Sequence, residues 1–264
     1  MSARPLRSST QLRVSGVSAS WHEDPERPGA WVLYVGPDEQ STLLPERPRT
    51  LVYEYLARIG AAVDLAAPAG TPLRVLHLGG GALTLPRYVE ATRPGSEQVV
   101  VDLDAELMPF VLESFPLAEP ARTRVIIGDV REKLTEAVRD GAFDVIVFDI
   151  ALGPDSPERL LEESFYRELL AALAPAGLLL VNVGDEPPLA TTRQVAAALS
   201  GGGASVWVSA QADMMTGRYA GNLIVGASRQ RWDEERLAAL TAAGPHPAGL
   251  AVGLDISGIG LSPQ

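Results

Sequence analysis

The 264-residue chain has no cysteine, which excludes disulfides and thiolate metal sites. It has only three histidines, His22, His77 and His246, scattered along its length. His77 sits inside an apolar run, where a hydrogen-bonded core histidine is the ordinary outcome. With so few histidines and no G-x-S-x-G elbow, a Ser-His-Asp triad has little to draw on. Nothing points to a metal. Positive charge is also scarce: 22 Lys and Arg stand against 33 Asp and Glu, a formal net charge of −11. Without a Lys/Arg cluster, no nucleic-acid partner is expected. There is no run of about 18 apolar residues, so no membrane partner is expected either. Arg4, Arg7 and Arg13 are not followed by the apolar stretch of a signal peptide. The expectation is a cytoplasmic protein.

What the chain does have is a strand–turn–helix–strand unit from Leu73 to Asp104. An apolar run (Leu73, Val75, Leu76, Leu78) stops at Gly79, Gly80 and Gly81. A helix-compatible segment follows, and a second apolar run, Val99 to Val101, ends on Asp102 and Asp104. Three glycines let the backbone turn sharply off a strand and come close to a ligand. An acid at the end of the next strand, roughly 20 residues on, sits where a ribose presents its hydroxyls. No Gly-Lys-Ser/Thr follows, so this is not a P-loop. Leu83 and Thr84 occupy the place of the third spaced glycine, which favours a nucleoside over a pyrophosphate and disfavours a dinucleotide-dependent oxidoreductase.

The same alternation continues along the chain. Short strand-like stretches between Leu12 and Leu44, clearest at Trp31–Val35, predict a small antiparallel appendage, and Arg49 to Ala67 has helical spacing. Beyond Asp104, strands are predicted at 124–129, 143–148 and 178–183, separated by helices at 105–115, 131–139 and 162–173. A helix at 191–199 and strands at 205–209 and 222–227 follow. The Gly/Pro-rich C-terminal segment predicts one short helix. The reading is an α/β fold, Rossmann-like, with a mostly parallel sheet and helices on both faces. Its domains are a β-strand region over 1–48 and a nucleoside-binding domain over 49–264. Strands one to four end on Gly79–Gly81, Asp102, Asp129 and Asp149. In a parallel sheet these ends share one edge, where such sheets bind ligands.

The stretches VLHLGGG, VVVDLD, IIGDV and FDVIVFD, followed by ESFYRELLAALAPAGLLLVNV, resemble the spermidine synthase group within the class I S-adenosylmethionine-dependent methyltransferase fold. The upstream DEQSTLL…RTLVYEYL is similar to that group's entry into the domain. The resemblance runs from about Trp31 to Ser228. It implies that Gly79, Gly80 and Gly81 pass under a nucleoside, with Asp102 on the ribose hydroxyls. Asp129 would meet the adenine amino group with Val130 beside the ring, and Gln40 would approach from the N-terminal side. Asp149 matches the carboxylate that orients and deprotonates an attacking amine, and Tyr53 a tyrosine that helps hold it. An amine attacks a carbon next to sulfonium only in its neutral form, so one base and good positioning suffice. The resemblance also implies a homodimer.

Two departures bear on the reaction. The group usually carries an acid directly after the three glycines, where this chain has Ala82. It also tends to carry one three residues after the catalytic Asp, where this chain has Leu152. Burying a diamine's ammonium groups without carboxylate partners is costly. Asp155 is a possible substitute. With Ala82, the discrimination between decarboxylated S-adenosylmethionine and S-adenosylmethionine itself is lost, and Arg87 is a candidate partner for the latter's carboxylate. Acidic net charge suits a cationic acceptor; Met214 and Met215 hint at a less polar acceptor pocket. The expected function is therefore transfer of an alkyl group, aminopropyl by resemblance, from an S-adenosyl sulfonium donor to an amine or other small nucleophile. The alternatives are a methyltransferase and a non-catalytic nucleoside-binding regulator.

Overall fold

The computed structural model describes residues 4–118, 121–152 and 157–261. Asp155 lies outside them. The N-terminal region is an antiparallel meander of β1 (Ser9–Gln11), β2 (Ser18–Glu23), β3 (Trp31–Val35) and β4 (Asp38–Leu43), hydrogen-bonded in that order. A register shift between Leu33 and Tyr34 sets Tyr34 opposite Glu39. Trp21 and Trp31 pack on Phe115, which anchors this sheet to the rest of the molecule.

The larger sheet begins after α1 (Glu54–Asp64). Its parallel part consists of β5 (Arg74–Leu78), β6 (Glu97–Asp102), β7 (Arg122–Ile127), β8 (Phe143–Leu152) and β9 (Leu173–Asp185). These strands are joined by α2 (Thr84–Thr92), α3 (Leu107–Ser114), α4 (Val130–Ala137) and α5 (Glu163–Ala171). After α6 (Ala190–Gly201) come β10 (Ser205–Gln211), the single turn α7 (Ala212–Met215), β11 (Gly221–Ser228), α8 (Glu234–Ala243) and β12 (Ala248–Val252). The order across the sheet is β12-β10-β11-β9-β8-β5-β6-β7. β5 pairs in parallel with both β6 and β8, so the chain leaves β5 in one direction and later returns to its other side. That reversal opens a crevice at the carboxyl ends of β5 and β8.

The parallel strands are apolar because helices cover both of their faces. One core joins Leu76, Leu78, Phe148, Phe165 and Val181 on one side of the sheet; a second joins Val75, Val147, Leu180 and Ile59 on the other. β12 departs from the sequence expectation of a single short helix at the C-terminus. AGLAV has one β-branched residue, Val252, and no aromatic, so it marks a strand weakly, but as an edge strand it needs only β10 as a partner, and it pairs antiparallel with it from Gln211–Ala248 to Trp207–Val252. Among the described residues, no helix is long and apolar enough to cross a membrane.

Arg93, at the C-terminal end of α2, fastens the end of α1 to that helix. It is 1% exposed, and its guanidinium donates to the carbonyls of Val63, Asp64, Ala67, Pro68 and Thr71 at 2.8–3.1 Å. These groups lie at and just beyond the C-terminal end of α1, where backbone acceptors lack intrahelical partners and a cation is favoured. The last turn of α1 has no basic residue of its own.

Candidate active site

A cavity of about 840 Å³ lies at the carboxyl edge of the parallel strands. The endings anticipated from the sequence line it together: Gly79, Gly80 and Gly81 after β5, Asp102 at the end of β6, Asp129 and Val130 after β7, and Asp149 on β8. Gln40 and Tyr53 line it as well. The ladder holds the edge in register beyond the strands, with Gly79 N–H donating to Val101 C=O at 2.9 Å and Gly128 N–H to Asp102 C=O at 2.8 Å.

The glycine turn is built for closeness. Gly79 has φ +99°, and a Cβ there would collide with the backbone carbonyl of Asp149. A Cβ on Gly80 would press on Met108 and lie 3.1 Å from Asp102 Oδ2. Gly80 N–H instead donates to that oxygen at 2.8 Å, and Asp104 N–H donates to Oδ1 at 3.0 Å. Burial raises the pKa of Asp102 despite these backbone donors. Where a third glycine would relieve the entry to α2, Leu83 takes a left-handed conformation, φ 57°. Its side chain is fully buried, and that packing offsets the strain. His77, beneath the turn, hydrogen-bonds Gln98 Oε1 at 2.9 Å; burial lowers its pKa to about 4, which keeps it neutral.

Asp149 lies within β8 rather than after it, because β8 runs on to Leu152 while its ladder with β9 breaks between Phe148 and Leu152. Asp149 is partly buried and lines the cavity, and burial raises its pKa to about 6. Asn182 of β9 opposes that shift by donating from Nδ2 to Asp149 Oδ1 at 2.8 Å. Among the described residues, nothing donates to Oδ2.

Beside Asp149 stand two stacked phenols, Tyr53 and Tyr55, with ring centroids 6.0 Å apart. Tyr53 donates to Glu39 of β4, so the N-terminal sheet supplies part of the wall. Burial raises both phenol pKa values, helped by the charge of Glu39 at Tyr53 and of Asp149 at Tyr55. Asp129 caps α4, its Oδ1 accepting from Arg131 N–H and Glu132 N–H at 3.0 and 3.3 Å; its Oδ2 faces Arg159 at 3.0 Å.

Among the described residues, six carboxylates line the cavity (Glu39, Glu54, Asp102, Asp104, Asp129, Asp149) against one guanidinium, Arg159. Arg58 pairs with Glu54 and Arg159 with Asp129. The other four have no cation partner among the described residues. Such a wall favours a cationic ligand.

Arg87 requires a correction. It does not line the cavity: its side chain is buried, and its guanidinium donates to the carbonyls of Phe115 and Pro116. One helical turn past the glycines, its side chain points into the protein, away from the cavity. Ala82 and Leu152 are likewise buried in the cores, 0% and 2% exposed. Glu39, Tyr55, Arg159 and Asn182 were not singled out from the sequence. For Asn182 a signal was present, one amide inside the apolar run LLLVNV.

No family model matches the chain. A polyamine aminopropyltransferase of Synechococcus sp. (strain JA-3-3Ab) is 30% identical over 137 residues, which is 49% of this chain and 43% of that protein. The chain thus aligns with less than half the length of that curated relative. Among solved structures, a probable spermidine synthase from Corynebacterium glutamicum superposes with TM-score 0.84 at 25% identity, covering 96% of this chain and 93% of the other. Human methyltransferase-like protein 13, solved in complex with SAH, shares the fold with TM-score 0.53 at 21% identity, covering 72% and 87%. The chain is a class I methyltransferase-fold protein. Within that fold it is spermidine synthase-like.

Proposed function

We propose that this protein transfers an alkyl group from an S-adenosyl sulfonium donor to an amine, with Asp149 accepting the amine's proton. The observation that carries this reading is the carboxyl of Asp149, with a pKa of about 6, on the wall of the same cavity that holds the glycine turn and Asp102. A base poised near neutral pH is matched to an amine that must lose a proton. The unpaired acids around it suit a sulfonium and an ammonium, and the relatives' names, an aminopropyltransferase and a methyltransferase found with SAH, fit such a donor.

In this reading Gly79–Gly81 underlie the nucleoside, Asp102 accepts from the ribose hydroxyls, and Asp129 and Val130 face the adenine. Gln40 closes the N-terminal side. The donor supplies an activated carbon, since its sulfur leaves as a neutral thioether. Tyr53, fixed by Glu39, borders the amine, while Asn182 fixes Asp149.

Aminopropyl transfer follows the strongest likenesses. Methyl transfer from S-adenosylmethionine itself is the second reading, favoured by Ala82: no acid stands there to select a decarboxylated tail, and the nearby cavity wall carries the neutral hydroxyls of Ser41 and Thr84, 3.0 Å apart. Calorimetry with S-adenosylmethionine, its decarboxylated form and methylthioadenosine separates the two. Tighter binding of the decarboxylated donor supports aminopropyl transfer and tighter binding of the parent supports methyl transfer. Binding of none of the three removes the whole reading.

A further inference from the structure

Among the described residues, Arg159 is the one guanidinium on the cavity wall. It lies on a single helical turn, Glu158–Leu160, between β8 and α5. Its Nη2 is 3.0 Å from Asp129 Oδ2, and its side chain is about half exposed. Asp129 Oδ1 is already engaged by Arg131 N–H and Glu132 N–H at the start of α4. An ion pair this exposed contributes little to stability. The turn that carries Arg159 is nevertheless held firmly. Arg131 Nη1 donates to Arg159 C=O at 2.7 Å, while Arg131 Nη2 meets Glu162 Oε2 at 2.7 Å and Ser164 Oγ at 3.0 Å. The Arg131 guanidinium also lies over the Phe165 ring, 5.6 Å from its centroid. The start of α4 thus grips Arg159 twice, by its carbonyl through Arg131 and by its guanidinium through Asp129. That fixes a donor beside an acceptor on a ligand-binding wall, at little ordering cost to a ligand that meets both.

We infer that Arg159 is a specificity-determining residue that donates to a ring nitrogen of the donor's base. The inference rests on the transferase reading above, in which Asp129 faces the adenine. The exocyclic amino group of adenine is a donor, and the ring nitrogens flanking it, N1 and N7, are acceptors. The wall presents the complement: Asp129 Oδ2 accepts, and the guanidinium next to it donates. A carboxylate oxygen has two lone pairs, so Oδ2 can hold Arg159 and the amino group together. The guanidinium is a planar fork of five N–H donors, so one edge can stay on Asp129 while another reaches the ring. Pro157 and Leu160 line the cavity with Arg159 and offer apolar contact to the base. Asp129 alone tests only for the amino group. With Arg159 beside it the wall also requires a bare ring nitrogen, and it rejects a base that carries hydrogen there, because a donor would then face a donor.

The test removes the ring nitrogen and the guanidinium separately and together. Methylthioadenosine and its 1-deaza and 7-deaza analogues, in which C–H replaces N1 or N7, are titrated by calorimetry into wild type and Arg159→Met. Methionine keeps much of the side chain's length and has no donor. In wild type at least one analogue should bind roughly 10-fold or more weakly than methylthioadenosine, the scale of one lost hydrogen bond to a charged group. Which analogue does so names the nitrogen. In Arg159→Met, methylthioadenosine should weaken by a similar factor, and that analogue should bind within roughly threefold of it. A purely structural role for Arg159 would weaken all three compounds alike and leave their ratios as in wild type. Equal affinities of the three in wild type, or ratios unchanged in Arg159→Met, overturn the inference. Failure of methylthioadenosine itself to bind wild type overturns the donor reading instead and takes this inference down with it.

Discussion

Replacing Asp149 by Asn tests the central claim twice over, because the same buried carboxyl that serves as base must also destabilise the fold when ionised. Burial moves its pKa from an ordinary 3.8 to about 6. At about 1.4 kcal/mol per pH unit, keeping the charge costs about 3 kcal/mol. The folded state holds this proton more tightly than the unfolded state, so stability falls as pH rises from about 3.8 to about 6 and stays low above. The amide introduced by the substitution would be neutral at every pH and still able to accept from Asn182, whose bond to Oδ1 is 2.8 Å long in the wild type. Asp149→Asn should therefore be more stable than wild type by up to about 3 kcal/mol at pH 7.5 and nearly equal to it at pH 4. Urea unfolding at the two pH values measures this directly. Turnover with the acceptor should fall by roughly 10²–10⁴-fold, the usual contribution of a general base, while methylthioadenosine binding is kept. A stability difference that does not change between pH 4 and pH 7.5 would refute the burial argument. Undiminished turnover would refute the role.

Two further substitutions probe the scaffold. Gly79→Ala places a Cβ against the Asp149 carbonyl on a backbone at φ +99°, and should lower the unfolding free energy by about 2–4 kcal/mol and abolish methylthioadenosine binding; calorimetry and denaturant unfolding with wild-type values would show that the turn tolerates a side chain. Arg93→Met strands the carbonyls of Val63, Asp64, Ala67, Pro68 and Thr71, and should cost about 3 kcal/mol, seen as a drop in Tm of roughly 2–4 °C per kcal/mol. A change of less than about 1 °C would mean that water replaces the guanidinium without loss.

Much of this protein was legible in one dimension. Apolar runs alternating with helical spacing are set by local periodicity, so the parallel strands and their order along the chain could be read from residues alone. The endings on glycine or acid could be read too, because a parallel sheet places successive strand ends on one edge, and Gly79, Asp102, Asp129 and Asp149 do meet around one cavity. Tertiary structure decided what depends on direction and on distant partners. Arg87 is one turn from the glycines in sequence, yet its side chain leaves the site for the carbonyls of Phe115 and Pro116, 28 and 29 residues away. Glu39 reaches Tyr53 only because the N-terminal sheet packs over the cavity. Asn182 is a lone amide in an apolar strand until β9 lies beside β8 and brings it to Asp149. β12 carries a weak pattern and exists because β10 offers it an edge. Periodicity is a property of the chain, whereas the partner of a side chain is fixed by where the strands and helices finally pack.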